Sequence, residues 1–406
     1  MSIAREVSEL SMSLALDRVI DGAVTSGDLP FVIAMVAESD GLLWQGAAGM
    51  ASERDAVSFD AVFRLYSQTK AIGAVAAMIL VDRGLLSMDT PVASIVPEFE
   101  RVRYLESIGP DGPVLRAPRK ICTLRHLLTH TSGFAYEGMN ERMTAYREAS
   151  GRPITSVATM QTLLDYPMVF EPGEGFAYGV SLDWVGLMIE RADGRTIDRF
   201  CREEIFEPLG MVDTVFEPDG RQDRIPRLGW RTPAGGFDYV NLAPPPHPEF
   251  YGLGICLYGT AGDYIRFLRM LLSGGELDGR RILSASAMRL MMENQTPEGV
   301  TVGPIISSDH NWSGDIDLVP GIPKSWTAGF LRTEQDVAGM RSAGSLTWGG
   351  IFNSHYWIDP ANNLAAVFMT QSLPFVEPRF LERYLQFERT VYKEFGPGGQ
   401  SESQRA

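Results

Sequence analysis

Strand-forming stretches lie at the two ends of this chain, and helical patterns fill the middle. Near the start, PFVIAMVAES (30–39) and LLWQGAAGMA (42–51) read as two strands joined at Asp40-Gly41, a hairpin signal. Past residue 323, KSWTAGFLR, SAGSLTWGG, NSHYWIDP and NLAAVFMTQ are short strand-like runs separated by turn residues. An isolated hairpin is at best marginally stable, so the two ends must assemble together. The pattern predicts an α+β fold, an antiparallel β-sheet flanked by helices, with a mostly helical inserted domain. Residues 1–65 and 265–396 form the expected sheet domain and 66–264 the helical one, with the active site between them. The Gly- and Ser-rich end, 397–406, reads as a disordered tail.

Apolar periodicity and capping residues predict helices over 12–25, 67–82, 123–133, 154–166, 181–193, 196–211, 260–275, 283–294 and 377–395. Residues 85–120 and the Pro- and Gly-rich 217–260 read as loops. The 36 basic residues include only four lysines, so the place of each lysine is informative. Lys70 stands three residues after Ser67, at the start of an apolar helix, in FRLYSQTKAIGAVAAMILVDRG. Residues i and i+3 share a helix face, so hydroxyl and amine meet. A desolvated amine accepts a proton more readily than a hydrated one. The first helical turn offers free N–H groups to developing negative charge. Ser67 is then a nucleophile and Lys70 its general base. On its own S-x-x-K is a short motif that chance also produces.

The totals exclude several functions. A net charge of −15 argues against nucleic acid or an anionic membrane as partner. Cys122, Cys201 and Cys256 are far apart in sequence, and the five histidines lack metal-ligand spacing. We therefore expect no metal, no cofactor and no disulfide. The acidic N-terminal helix is unlike an export signal, and no run is long enough to span a bilayer. These features predict a cytoplasmic protein. His130 and His355 read as structural, and no G-x-S-x-G occurs.

Four stretches carry a resemblance. FRLYSQTK with DRGLLSMDTPV, LRHLLTHTSGF, IFEPLGMVDTVF and TAGDYIRFLRMLLSGGELDGRRIL are together similar to the serine β-lactamase and penicillin-binding superfamily. The chain looks most like its class C-type family VIII carboxylesterases and related acyltransferases. The resemblance implies that Tyr178, in EGFAYGVSLDW, fills the place of the family's second catalytic residue as general base and acid. Val180 stands where many members carry an asparagine. Trp348-Gly349-Gly350 replaces the lysine-threonine-glycine strand motif, and the backbone N–H groups of Ser67 and Ile351 are implied as the oxyanion hole. Tyr66, Val180, Trp348, Gly349 and Gly350 are the implied substrate contacts.

An indole cannot hold a substrate carboxylate as that lysine does, so uncharged esters of short acyl chains are the expected substrates. The segment Trp230 to Tyr251 is expected to wall the cleft. The same residues would serve an acyltransferase using an alcohol or amine acceptor. Weak β-lactamase or D-amino-acid peptidase activity is a further alternative, as is a penicillin-binding-like sensory protein without turnover.

Overall fold

The computed structural model describes residues 3–151 and 157–397. A helix, α1 (Ile3–Thr25), leads into strands β1 (Phe31–Ala37) and β2 (Leu42–Gly49). The helical middle is built on α2 (Thr69–Asp82) and α3 (Ser181–Asp193). Helix α4 (Ala261–Leu272) returns the chain to the sheet. Strands β3 (Lys324–Trp326), β4 (Leu331–Thr333), β5 (Leu346–Gly350), β6 (Ser354–Asp359) and β7 (Leu364–Met369) follow, and α5 (Pro378–Phe395) closes the fold.

The seven strands form one antiparallel sheet in the order β3-β4-β5-β6-β7-β1-β2. The N-terminal hairpin thus completes a sheet begun by the C-terminal strands, with β1 against β7 in a register pairing Met35 with Val367. Alternation assigns the faces. Phe31, Ile33 and Met35 join the core shared with α2 and α3, whereas Val32, Ala34 and Val36 join the core under α1 and α5. Helix α5 meets that second face through Phe380, Tyr384, Phe387 and Val391, a spacing that gives one apolar stripe. In α2, every residue from Thr69 to Leu80 is buried, as expected of a helix inside the molecule rather than on it. Thr260 caps α4 by accepting the Asp263 N–H.

The strands at both ends and most helices follow the sequence pattern. The 196–211 helix contains a π-helical turn at Arg202–Phe206, and the 123–133 helix is the single turn Leu124–Leu128 behind Thr123. Residues 85–120 are not all loop: Tyr104–Gly109 pairs with Gly112–Arg116. That ribbon exposes Glu106, Ser107 and Ile108 together, so it carries no apolar alternation to read. Helix Glu141–Ser150, capped by Asn140, was equally hidden by its polar composition. Within 217–260, Leu228–Arg231 pairs with Phe237–Val240 and Ser372–Leu373. Of the 154–166 helix, Met160–Leu164 is helical, while 152–156 lie outside the described residues, as do 398–406 of the expected tail. No helix among the described residues is long and apolar enough to cross a membrane.

Candidate active site

Ser67 sits in the middle of a single 3-10 turn, Tyr66–Gln68, that runs directly into α2. The residue before it, Tyr66, has a left-handed backbone with φ of 45°. A bulky residue there is strained, and such strain is kept only where surrounding structure fixes it. Three anchors fix it here. Leu65 N–H donates to the Leu257 carbonyl, Tyr264 Oη donates to the Gln68 carbonyl, and Leu257 N–H donates to Thr69 Oγ1.

Lys70 is 1% exposed. Its Nζ lies 3.2 Å from Ser67 Oγ, 3.3 Å from Tyr136 Oη and 2.9 Å from the Gly254 carbonyl oxygen. With two protons placed on the carbonyl and the phenol oxygen, a neutral amine points its lone pair at the serine hydroxyl. Lys70 Nζ also lies 4.8 Å from the centroid of the Tyr178 ring. The tyrosine hydroxyl bonded to Lys70 is therefore that of Tyr136, while Tyr178 presents its ring face.

Tyr178 is buried, and its Oη accepts a hydrogen bond from Trp348 Nε1 at 2.9 Å. The indole thus contributes an N–H aimed at the phenol oxygen. Tyr136 and Tyr178 are tied by their backbones, since Tyr136 N–H donates to the Tyr178 carbonyl. Burial pushes the Tyr136 phenol well above its usual range.

The two glycines after Trp348 serve different contacts. A side chain on Gly350 would stand 2.4 Å from the Leu65 carbonyl, so only glycine lets β5 close against the Ser67 turn. A side chain on Gly349 would strike the His355 ring at 2.8 Å, on the opposite face of the sheet. Ile351 continues past Gly350 and packs, together with Tyr66, Trp230, Val240 and Leu242, around buried Leu228, Phe352 and Leu373. Val180 is buried at the residue preceding α3.

His355 stacks on Phe375 and Phe380 within the second core, and burial lowers its pKa to about 3. His130 is fully buried and packs its ring 4.7 Å from Tyr178 and 5.0 Å from Trp326. Neither ring nitrogen makes a hydrogen bond among the described residues, while the His130 carbonyl accepts from Ala177 N–H. Burial and the nearby Lys70 hold that imidazole neutral.

Two residues at the site escaped sequence reading. Tyr136 follows LLTHTSGFA with no chemical partner nearby in sequence. Asp183 is a carboxylate inside the otherwise apolar start of α3, a pattern that could have flagged it. No group of three or more His, Cys, Asp or Glu able to hold a metal is found among the described residues.

The chain is similar over most of its length to several known proteins. Lovastatin esterase of Penicillium rubens is 28% identical over 407 aligned positions, covering 94% of this chain and 98% of that protein. Monacolin J acid methylbutanoyltransferase of Aspergillus terreus is 29% identical, with 84% of each chain covered. Among solved structures, simvastatin synthase (LovD) from Aspergillus terreus superposes with a TM-score of 0.81 at 26% identity, covering 95% of this chain and 99% of that one. EstCE1, a hydrolase with promiscuous acyltransferase activity, shares the fold at a TM-score of 0.75 and 20% identity, covering 95% of this chain and all of that one. The family model described as Beta-lactamase matches residues 16–390, a span from α1 through α5, and the chain belongs to that family.

Proposed function

We propose that this protein is a serine esterase of the family VIII type that works through an acyl-serine intermediate and also passes the acyl group to alcohols. The observation that carries the reading is the buried Lys70 amine, 3.2 Å from Ser67 Oγ with its other two directions already occupied. Lys70 takes the Ser67 proton as Oγ attacks the ester carbonyl. The N–H groups of Ser67 and Ile351 hold the oxyanion. Collapse breaks the ester C–O bond, and the alkoxide leaves with a proton from Tyr178, which takes back the one held on Lys70. Water or a second alcohol then attacks the acyl carbon and gives its proton to Lys70 and Tyr178, and that proton returns to Ser67 Oγ as the acyl–serine bond breaks.

Substrate contacts fall on Tyr66, Val180 and the Trp348-Gly349-Gly350 strand. The apolar collar of Tyr66, Trp230, Leu242, Ile351 and Phe352 beside the Ser67 turn suits an uncharged acyl or alcohol group. A cavity of about 230 Å³ lies beyond Cys256 and Tyr258, walled by Phe216, Tyr251 and the Pro244–His247 stretch of the Pro-rich segment. It supports the expectation that this segment walls the cleft and so shapes acyl and alcohol preference. The names of the relatives, an esterase and a methylbutanoyltransferase, fit both outcomes of one acyl-enzyme. Three free, buried cysteines favour a cytoplasmic setting. The division at residues 66 and 264, with Ser67 at the seam, remains our description of the domains.

The test is product analysis of p-nitrophenyl butyrate turnover with and without a competing primary alcohol. We expect butyrate alone in buffer and a growing share of butyrate ester as alcohol is added, at unchanged p-nitrophenol release per acyl group. Absence of both products would refute the reading.

A further inference from the structure

We propose that Asp183 is a positioning residue for Lys70, acting through Gly254, which bonds both. This inference rests on the reading of Ser67 and Lys70 given above. Asp183 Oδ1 accepts the Gly254 N–H at 2.8 Å, and the Gly254 carbonyl accepts from Lys70 Nζ at 2.9 Å. One residue therefore holds the carboxylate through its N–H and the amine through its carbonyl, on either side of a single Cα. The carboxylate is 1% exposed. Among the described residues, no direct ion pair within 4 Å joins it to any cation.

The loop is shaped for this contact. A side chain on Gly252 would stand 2.2 Å from Asp183 Oδ1, and one on Gly254 would stand 2.8 Å from it. Leu253 between them wedges against Gly73 of α2 and Gly186 of α3. Glycines thus let the loop press on the carboxylate while its leucine locks the two helices. Loop, carboxylate and amine form one unit.

The chemistry needs such a group. When Lys70 takes the serine proton, an ammonium forms in a buried site. A buried carboxylate bonded to the same glycine offsets that charge through space and fixes the loop whose carbonyl holds the amine. The buried aspartate of a serine protease triad does the same for its imidazolium.

Asp183 keeps a raised carboxyl pKa, about 6, because burial outweighs the nearby Lys70 charge and the Gly254 N–H. The other titratable groups around the pair are His130, Tyr136, Tyr178 and Cys256, with Glu137 and Tyr166 facing Tyr136. Burial lowers His130 well below its usual range, raises the Cys256 thiol to about 12 and keeps the Tyr136 phenol protonated.

Two measurements test the proposal. The first follows the Asp183 carboxyl carbon by NMR titration in the full chain and in Lys70→Met, assigned by loss of the signal in Asp183→Asn. We expect a midpoint far above that of free aspartate, moving up by about one further unit in Lys70→Met, as for charges one residue apart at an effective dielectric of about 20. Equal midpoints in the two proteins would overturn the coupling. This measurement needs no turnover, so it decides the point even if Ser67 is not the nucleophile.

The second records kcat/KM against pH for Asp183→Asn, whose amide oxygen can still accept from Gly254. Without the charge Lys70 gives up its proton more easily. The acid limb should move about one unit to lower pH, and the plateau should fall roughly tenfold. A merely structural Asp183 would leave the limb in place, and superimposable profiles would refute the proposal.

Discussion

Two buried pairs of opposite charge sit on opposite sides of the sheet and are built in opposite ways. On the α5 side, Arg341 and Glu388 are 1% and 0% exposed and meet directly, with Nε and Nη2 donating to the two carboxylate oxygens at 2.7 and 2.6 Å. Tyr384 adds a third contact, to Arg341 Nη2 at 3.1 Å. On the α2 side, Lys70 and Asp183 never touch; Gly254 stands between them. A direct bidentate pair fixes both charges and leaves neither free to react. A pair held one residue apart keeps each proton movable while retaining part of the attraction. The choice of arginine on one side and lysine on the other matches, because guanidinium does not release its proton at ordinary pH.

The comparison can be attacked from either side. The largest effect is expected for Lys70→Arg, which keeps the charge but removes the base. Ester turnover should fall by about a thousandfold or more, measured as kcat with p-nitrophenyl butyrate, and fluorophosphonate labelling of Ser67 should slow in parallel. A variant with near-normal kcat would show that proton transfer to residue 70 is not needed.

Next is Glu388→Gln, which leaves Arg341 buried without its carboxylate. We expect a loss of about 3–5 kcal/mol in unfolding free energy by urea titration, with unchanged kcat in the fraction that remains folded. A loss of kcat without a loss of stability would erase the distinction between the two pairs.

Asp183→Asn should do the reverse and stabilise the fold near neutral pH. The Asp183 pKa is raised in the folded state, from an ordinary 3.8 to about 6. The folded chain therefore binds that proton more tightly than the unfolded chain. The stabilisation is complete below pH 3.8 and is lost as pH rises through 6. Above that window the ionised carboxylate costs the fold on the order of 1–3 kcal/mol. Unfolding midpoints at pH 8 should rise in the variant, and the gap should close on acidification. A destabilised variant at pH 8 would mean that Asp183 is held as firmly as Glu388.

The smallest effect is expected for Trp348→Phe, which keeps the ring but removes the N–H on Tyr178 Oη. We expect kcat to fall about tenfold with KM nearly unchanged, since the lost bond strengthens only as charge moves onto the phenol.

How far this site could be read in the sequence depends on where its contacts lie. Ser67 and Lys70 are three residues apart on one helical turn, so their meeting follows from helix geometry alone. The sheet was legible because Phe31 to Ala37 and Leu364 to Met369 are apolar throughout, as fits strands covered on both faces. Tyr178 and Trp348 were reached by resemblance, but their bond was not, because it spans 170 positions. Asp183 depends on where the 252–254 loop lies, and that loop carries no periodicity, while Tyr136 meets Lys70 across 66 positions. The Tyr104–Arg116 ribbon and the Glu141–Ser150 helix were missed for a simpler reason. The ribbon is largely exposed and the helix largely polar, so neither has an apolar face to signal its period.

The central claim is that Ser67 carries the acyl group. Intact-mass and peptide mass spectrometry after fluorophosphonate treatment test it directly. The account predicts a single adduct on the peptide containing Ser67, with ester turnover lost in proportion to labelling, and neither labelling nor turnover in Ser67→Ala. An adduct on another residue, or wild-type ester hydrolysis by Ser67→Ala, would contradict it.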